Sequence, residues 1–421
     1  MDLNNLINKI GIKQKEENKA LGTYIKNSDQ NKEKLETLLS EFKEIISDEA
    51  ASKLWTNSGV DEYYNYICNR INNFGIESVN ILTDNLQAYK IIKDDYDKNA
   101  KFGLFLSALI NKNLKAGEKV QITALMPIDY LFYRLENVEA HVNIAGTNLG
   151  SRAKNSKIDA DEATDAAGSY MENCELHVKK AKDYLGKSAK NSKICAEKAG
   201  DDVGYGIEDC ELHVKKAGNE LGYEAKNSRI YADEAGDNAG FYTGNCELHV
   251  EIAGEYIGFE ATKSKIYADE AGNHAGRKID KSELHVKKAK DYLGESANNS
   301  RIYADEAGKH AGYNMVECEL HVNKVGEYLG DSAKNSKIYA EKVGDLANGY
   351  MKNSDLSIYE LEGRLDKSYL NGKNKIYLGR ESYYKHYLKY KFMGVKIWKE
   401  KDLKNLLEAV PADIQDRSRL E

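Results

Sequence analysis

Between residues 120 and 371 the apolar and polar positions fall on a fixed grid of eighteen. Fourteen units fit it, starting at residues 120, 138, 156, 174 and so on to 354. Numbering each unit from its first residue, usually Ser or Cys, defines eighteen slots. Slots 1, 3 and 5 are small or apolar and alternate with polar slots 2, 4 and 6, which is the period of a strand. Slot 3 is Ile or Leu almost throughout (Ile194, Leu212, Ile230, Leu248), and slot 5 alternates Val with Ala (Val178, Ala196, Val214, Ala232). Slot 8 is Ala or Val, glycine follows at slots 9 and 13 in most units, and slot 18 is usually Asn. Asparagine tolerates left-handed backbone at a corner. A fixed period predicts a solenoid. Stacked helices do not fit, because two glycines per unit would each cost a helix about 1 kcal/mol. The pattern predicts an all-β parallel β-helix with one coil per unit, right-handed by the usual chirality of crossovers.

The true period is twice eighteen. Where slot 12 is large, slot 16 is small (Leu185 with Ala189, Leu221 with Ala225), and in the next coil the sizes reverse (Ala167 with Met171, Ala275 with Ile279). Interleaved layers of this kind keep a core near close-packed density. Slot 2 alternates in sign from Glu139, Lys157 and Glu175 through to Lys337 and Asp355. In-register parallel stacking places each slot against itself, so alternation turns like-charge repulsion into ion pairs. Each exposed pair is worth only about 0.2–1 kcal/mol, but a one-coil slip would oppose like charges.

Outside the array, residues 1–100 read as a helical N-terminal domain. Leu35, Leu38, Leu39, Phe42, Ile45 and Ile46 recur at helical spacing, as do Tyr63, Tyr64, Ile67 and Ile71, and Met1 to Lys15 is polar with a helical pattern. Residues 101–119 form a junction and N-terminal cap, led by the apolar run Gly103 to Ile110. Residues 372–421, with aromatic Tyr383–Trp398 and amphipathic Lys404–Val410, read as a C-terminal cap over the open strand edge.

Composition narrows the function classes. A net charge of −7, from 61 basic and 68 acidic residues, gives no pull towards nucleic acid or anionic membrane. No apolar run is long enough to span a bilayer, and the N-terminus lacks a secretory h-region. Cys174, Cys210, Cys246 and Cys318 share slot 1, at least two coils or about 9.6 Å apart at a strand spacing of about 4.8 Å, which is beyond disulfide reach. They read as small buried hydrophobes that exchange with Ser, and the location reads as cytoplasmic.

Candidate chemistry lies in slot 4, where His141, His177, His213, His249, His285 and His321 stand 36 residues apart. In the later coils Tyr alternates with them, at a spacing suited to ring stacking. At the head of the column, His141, Asp159, His177, Cys195 and His213 place metal-compatible side chains on five adjacent coils, a candidate strip for zinc or another divalent metal. No Cys-x-x-Cys pair, phosphate loop or isolated carboxylate pair singles out a catalytic site. Thr164, Lys182 and Lys290, which replace the slot-9 glycine, read as surface drift.

The strand followed by Ala-Gly-x-x-x-Gly, as in Ile230 to Gly240, resembles the GXGXG-type β-helix family. That family includes the C-terminal domain of glutamate synthase and one of the subunits of formylmethanofuran dehydrogenase. Phe105 to Asn111 and Tyr130 to Arg134 are similar to that group as well, and the likeness covers residues 103 to 371. It implies a right-handed β-helix acting as a spacer or docking subunit, with no catalytic residues to transfer. Corners here turn on Asn-Ser or Asn-Cys, whereas the family commonly turns on Gly-Gly. The expected function is a non-enzymatic structural rod that docks or spaces unidentified protein partners. The alternatives are a noncatalytic subunit of a redox or amidotransferase complex, and a metal-binding protein using the slot-4 strip. No cofactor is expected otherwise.

Overall fold

In a computed structural model of the chain, the described residues are 28–48 and 59–365 without 73, 84, 94 and 348, together with 374–379, 382 and 396–397. Among the described residues five helices come first: α1 Ser28–Ser47, α2 Val60–Arg70, α3 Glu77–Thr83, α4 Leu86–Ile92 and α5 Tyr96–Asn113. Sixteen strands follow, from β1 (Lys119–Ile122) to β16 (Lys396–Ile397), and form one parallel sheet in strict sequence order. The molecule is a β-solenoid with 18-residue coils and an N-terminal helical unit. The expected segments Met1–Lys15 and Lys404–Val410 lie outside the described residues, as does Tyr383–Trp398 apart from its two β16 residues.

Slots 3, 5 and 8 face inwards. Ile194, Leu212, Ile230 and Leu248 are fully buried, as are the paired volumes Leu185 with Ala189 and Ala167 with Met171. Slot 1 is buried too, but it does more than fill space. Ser228 Oγ accepts the Cys210 N–H from the coil before at 3.1 Å and donates to the Lys226 carbonyl at 2.7 Å. The thiols follow the same plan, with Cys246 Sγ accepting from the Ser228 N–H at 3.5 Å. From Ser156 onward the column therefore supplies hydrogen bonds to corner amides that the strand ladder cannot reach, which is why Ser and Cys exchange there.

The second half of each coil is built from left-handed residues. Asn155, Asn173, Asn191 and Asn227 at slot 18 have φ between 46° and 54°, as their type suggested. Slots 11 and 15 are left-handed as well, with Tyr184, Glu220, Glu224 and His274 at φ of 56–62°. That backbone costs each such residue roughly 1–2 kcal/mol. Alternating the conformation points amides up and down the stack in turn. Tyr184 donates to the Asp201 carbonyl of the next coil, and Gly186 donates to the Ala167 carbonyl of the previous one.

A polar column at slot 10 explains the slot-9 glycine. Asp183 Oδ1 accepts the Asp201 N–H at 2.9 Å, and Asp201 Oδ1 accepts the Asn219 N–H at 2.7 Å. The carboxylate passes over the intervening glycine, so a Cβ on Gly218 would stand 2.1 Å from Asp201 Oδ1. Where slot 9 carries a side chain the bond is longer. Asp183 N–H lies 3.3 Å from Asp165 Oδ1 beside Lys182, and Asp291 N–H lies 3.2 Å from Asn273 Oδ1 beside Lys290. These replacements thus loosen a specific bond.

Both ends depart from the eighteen-residue step. β1 pairs with β2 (Glu139–Ala145) so that Gln121, rather than Thr123, faces His141. Asp129 is already in phase, since its carboxylate accepts the Thr147 N–H at 2.7 Å. The two surplus residues therefore lie between them, in the bulge that exposes Leu125 and contains Pro127. At the other end β14 (Asp355–Leu361) pairs Asp355 with Lys375 of β15 (Lys375–Leu378), and β15 pairs with β16. The ladder thus continues past residue 371 into the segment expected as a cap.

Helix α5 closes the N-terminal end, and it starts before the expected junction at 101. Asn99, Gly103, Ser107 and Asn111 form one stripe at four-residue spacing. Asn99 exchanges bonds with the first coil, donating to the Pro127 carbonyl and accepting the Asp129 N–H, both at 3.0 Å. Ser107 Oγ accepts the Tyr133 N–H at 3.1 Å, and Asn111 donates to the Arg134 carbonyl at 3.0 Å. Gly103 lets the helix approach, because a Cβ there would stand 1.7 Å from the Asp129 carbonyl oxygen. Behind α5, Phe42 of α1 meets Phe102 and Phe105 at centroid distances of 5.2 and 5.4 Å, while Tyr133 OH donates to Asp61 of α2 at 2.6 Å.

Candidate functional site

The outward slots 2, 4 and 6 carry the chemistry-bearing side chains. In slot 2 the alternating charges meet across coils, with Lys193 to Glu211 at 3.4 Å, Arg229 to Glu247 at 3.8 Å and Arg301 to Glu283 at 3.6 Å. These carboxylates also serve the histidine two residues on. His213, His249, His285 and His321 each place Nε2 at 2.6–3.0 Å from Oε1 of Glu211, Glu247, Glu283 and Glu319. The His213 contact holds the Glu211 carboxyl below its ordinary value. From His213 to Tyr339 every coil contributes a ring to slot 4, and centroids are 4.5–5.2 Å apart in stacked geometry.

The expected metal-compatible strip lies on adjacent coils in the anticipated register, His141 beside Asp159, then His177, Cys195 and His213. One pair within it makes contact, His177 Nδ1 to Asp159 Oδ1 at 3.1 Å. His213 is instead engaged by Glu211 and stacked on Tyr231 at 4.7 Å. Burial raises the Cys195 thiol above its ordinary range. Among the described residues no group of three or more His, Cys, Asp and Glu side chains is arranged to hold a metal ion. A shallow groove runs along this face, lined in its first half by His141, Asp159, His177, Cys195 and His213.

Two further ring columns escape a reading of the sequence by slot 4 alone. Tyr256, His274, Tyr292, His310 and Tyr328 stack in slot 11 at 4.6–4.8 Å, with His274 Nδ1 2.6 Å from Glu295. The signal is present, since His274 and His310 are themselves 36 residues apart. In slot 14, Tyr205, Tyr223, Phe241 and Phe259 stack at 4.3–5.6 Å, with Lys187 and Arg277 over the terminal rings. Charge complementarity along slot 7 fails where Lys324 faces Lys342, and again where Lys180, Lys198 and Lys216 are in direct register. The outer two turn away to Glu162 at 3.1 Å and Glu234 at 2.7 Å.

Comparison with protein-family models, curated proteins and solved structures finds no match to this chain. None of the helices described is long and apolar enough to cross a membrane.

Proposed function

We propose that the chain is a non-enzymatic scaffold of the cytoplasm, a stiff rod that docks or spaces partner proteins. The observation that carries this reading is the use made of reactive side chains. Hydroxyls and thiols of slot 1 bond corner amides, carboxylates of slot 10 bond the next coil, and imidazoles of slot 4 bond glutamates and stack on tyrosines. Groups that an enzyme would keep poised for substrate are committed to cohesion between coils. Fourteen coils at about 4.8 Å give a rod of roughly 67 Å. The six cysteines, all free thiols, accord with a reducing compartment. Gel filtration with light scattering on extract at native concentration tests the reading. Elution in a species larger than one chain is expected, and elution as a lone chain overturns it.

The Asp159–His177 contact supports a second reading, in which this pair of side chains binds a divalent metal. Elemental analysis of the purified protein and of His177→Ala decides it. A stoichiometric metal lost in the variant supports that reading, and its absence from the parent protein removes it.

A further inference from the structure

Between His141 and Tyr339 the ring column of slot 4 is interrupted at two coils, by Asp159, whose carboxylate contacts His177, and by Cys195. Tyrosines of this column stand between a basic slot 2 and an acidic slot 6: Arg229 and Asp233 around Tyr231, Lys265 and Asp269 around Tyr267, Arg301 and Asp305 around Tyr303. Cys195 has the same surroundings, with Lys193 before it and Glu197 after it. Its neighbours in the stack are also the usual ones, His177 on one side and His213 on the other. Coil 192–209 therefore has the setting of a ring position without the ring.

The wall is correspondingly open there. From Val142 to Ile358, slot 5 is buried in every coil except at Ala196, the residue after Cys195. Cys195 itself is half-buried and lines the groove, between His177 and His213 in the stack. Both flanking imidazoles are fixed from outside the gap, His177 by Asp159 at 3.1 Å and His213 by Glu211 at 2.6 Å. The same two-coil relation between histidines recurs elsewhere in the molecule. His213 and His249, also two coils apart, enclose Tyr231 at centroid distances of 4.7 and 5.0 Å.

We propose that this gap is a binding socket for one uncharged planar aromatic ring of the phenol type. The ring inserts between His177 and His213 over the Cys195 thiol, as Tyr231 does one step along. Offset stacking on two imidazoles and a sulfur–ring contact supply the attraction. The opposite charges of Lys193 and Glu197 at the two edges favour a neutral ring over an anionic or cationic one. The ring can come from a free phenol or from a tyrosyl side chain of a partner, and an isolated ring should bind on the order of millimolar, because it buries little area. The socket stands on the geometry of the column and does not depend on the rod reading.

The test is an NMR titration of the full chain with p-cresol, N-acetyl-tyrosinamide and, as a non-aromatic control, N-acetyl-leucinamide. Saturable upfield ring-current shifts are expected at His177 and His213 with both aromatic probes. Tighter binding of the tyrosinamide would identify the peptide source, and tighter binding of p-cresol the free phenol. Cys195→Ala keeps the gap and should keep the response, whereas Cys195→Tyr fills the gap and should abolish it. Tyr231→Cys should create a second response at His213 and His249. No saturable shift, an equal shift with the leucinamide, or an undiminished response in Cys195→Tyr would overturn the proposal.

Discussion

The carboxylate of Asp201 and the missing side chain of Gly218 occupy one another's space. Asp201 Oδ1 reaches over the Gly218 backbone to accept the Asn219 N–H at 2.7 Å, where a Cβ would stand 2.1 Å away. Gly218→Ala should therefore lower stability by about 1–3 kcal/mol, the usual cost of overpacking. Asp201→Asn should cost less, because Asn219 already fills the same role one coil later. Denaturant midpoints of the two variants check this, and a neutral Gly218→Ala would refute the steric account.

Ser228 carries both a donor and an acceptor inside the wall. Ser228→Ala leaves the Cys210 amide and the Lys226 carbonyl without it, a loss of about 1–3 kcal/mol for unsatisfied buried groups. Ser228→Cys should be close to neutral, since neighbouring coils use thiols there. Thermal unfolding, with hydrogen exchange at the Cys210 amide, separates the two outcomes.

These columns show which parts of the molecule the sequence discloses. Slot 3 could be read because Ile194 and Leu212 alternate with charged neighbours, and the His–Tyr spacing in slot 4 follows from coil pitch alone. The left-handed backbone at slots 11 and 15 could not be read. Asn announces that conformation, whereas Tyr184, Glu224 and Lys278 adopt it only under the pull of cross-coil bonds. The bulge at Leu125 was hidden because the slot pattern resumes in phase at Asp129. Of the candidate site, the adjacency of Asp159, His177 and Cys195 was legible from the period. That His213 turns to Glu211 and Tyr231 depends on rotamers the pattern does not encode.

Charge alternation in slot 2 makes two coils the unit of exchange. Removing residues 228–263 sets Glu211 against Lys265 and should leave a cooperative fold. Removing 228–245 sets Glu211 against Glu247 and His213 against His249. That variant should unfold at clearly lower denaturant, by several tenths to a few kcal/mol summed over the new interface. Equal stability of the two deletions would show that the alternation has no energetic role.

Burial pushes the Cys318 thiol from 9.0 to about 11, and Cys174, Cys210 and Cys246 move the same way. A thiol that stays protonated when folded but ionises when unfolded stabilises the fold fully below pH 9. That contribution is lost as pH rises through 9 towards 11. Alkaline unfolding should begin in this window, and replacing all four residues by Ser should move its onset to higher pH. Circular dichroism against pH measures the shift.

The stripe Asn99, Gly103, Ser107 and Asn111 bears on how copies of the chain behave at high concentration. The terminal coil of any solenoid offers its backbone as a template on which another molecule can continue the stack. Here a helix has taken those bonds with side chains, and a helix has no free edge to pass on. Continuation of the stack across the Pro127–Arg134 part of the first coil is thereby blocked.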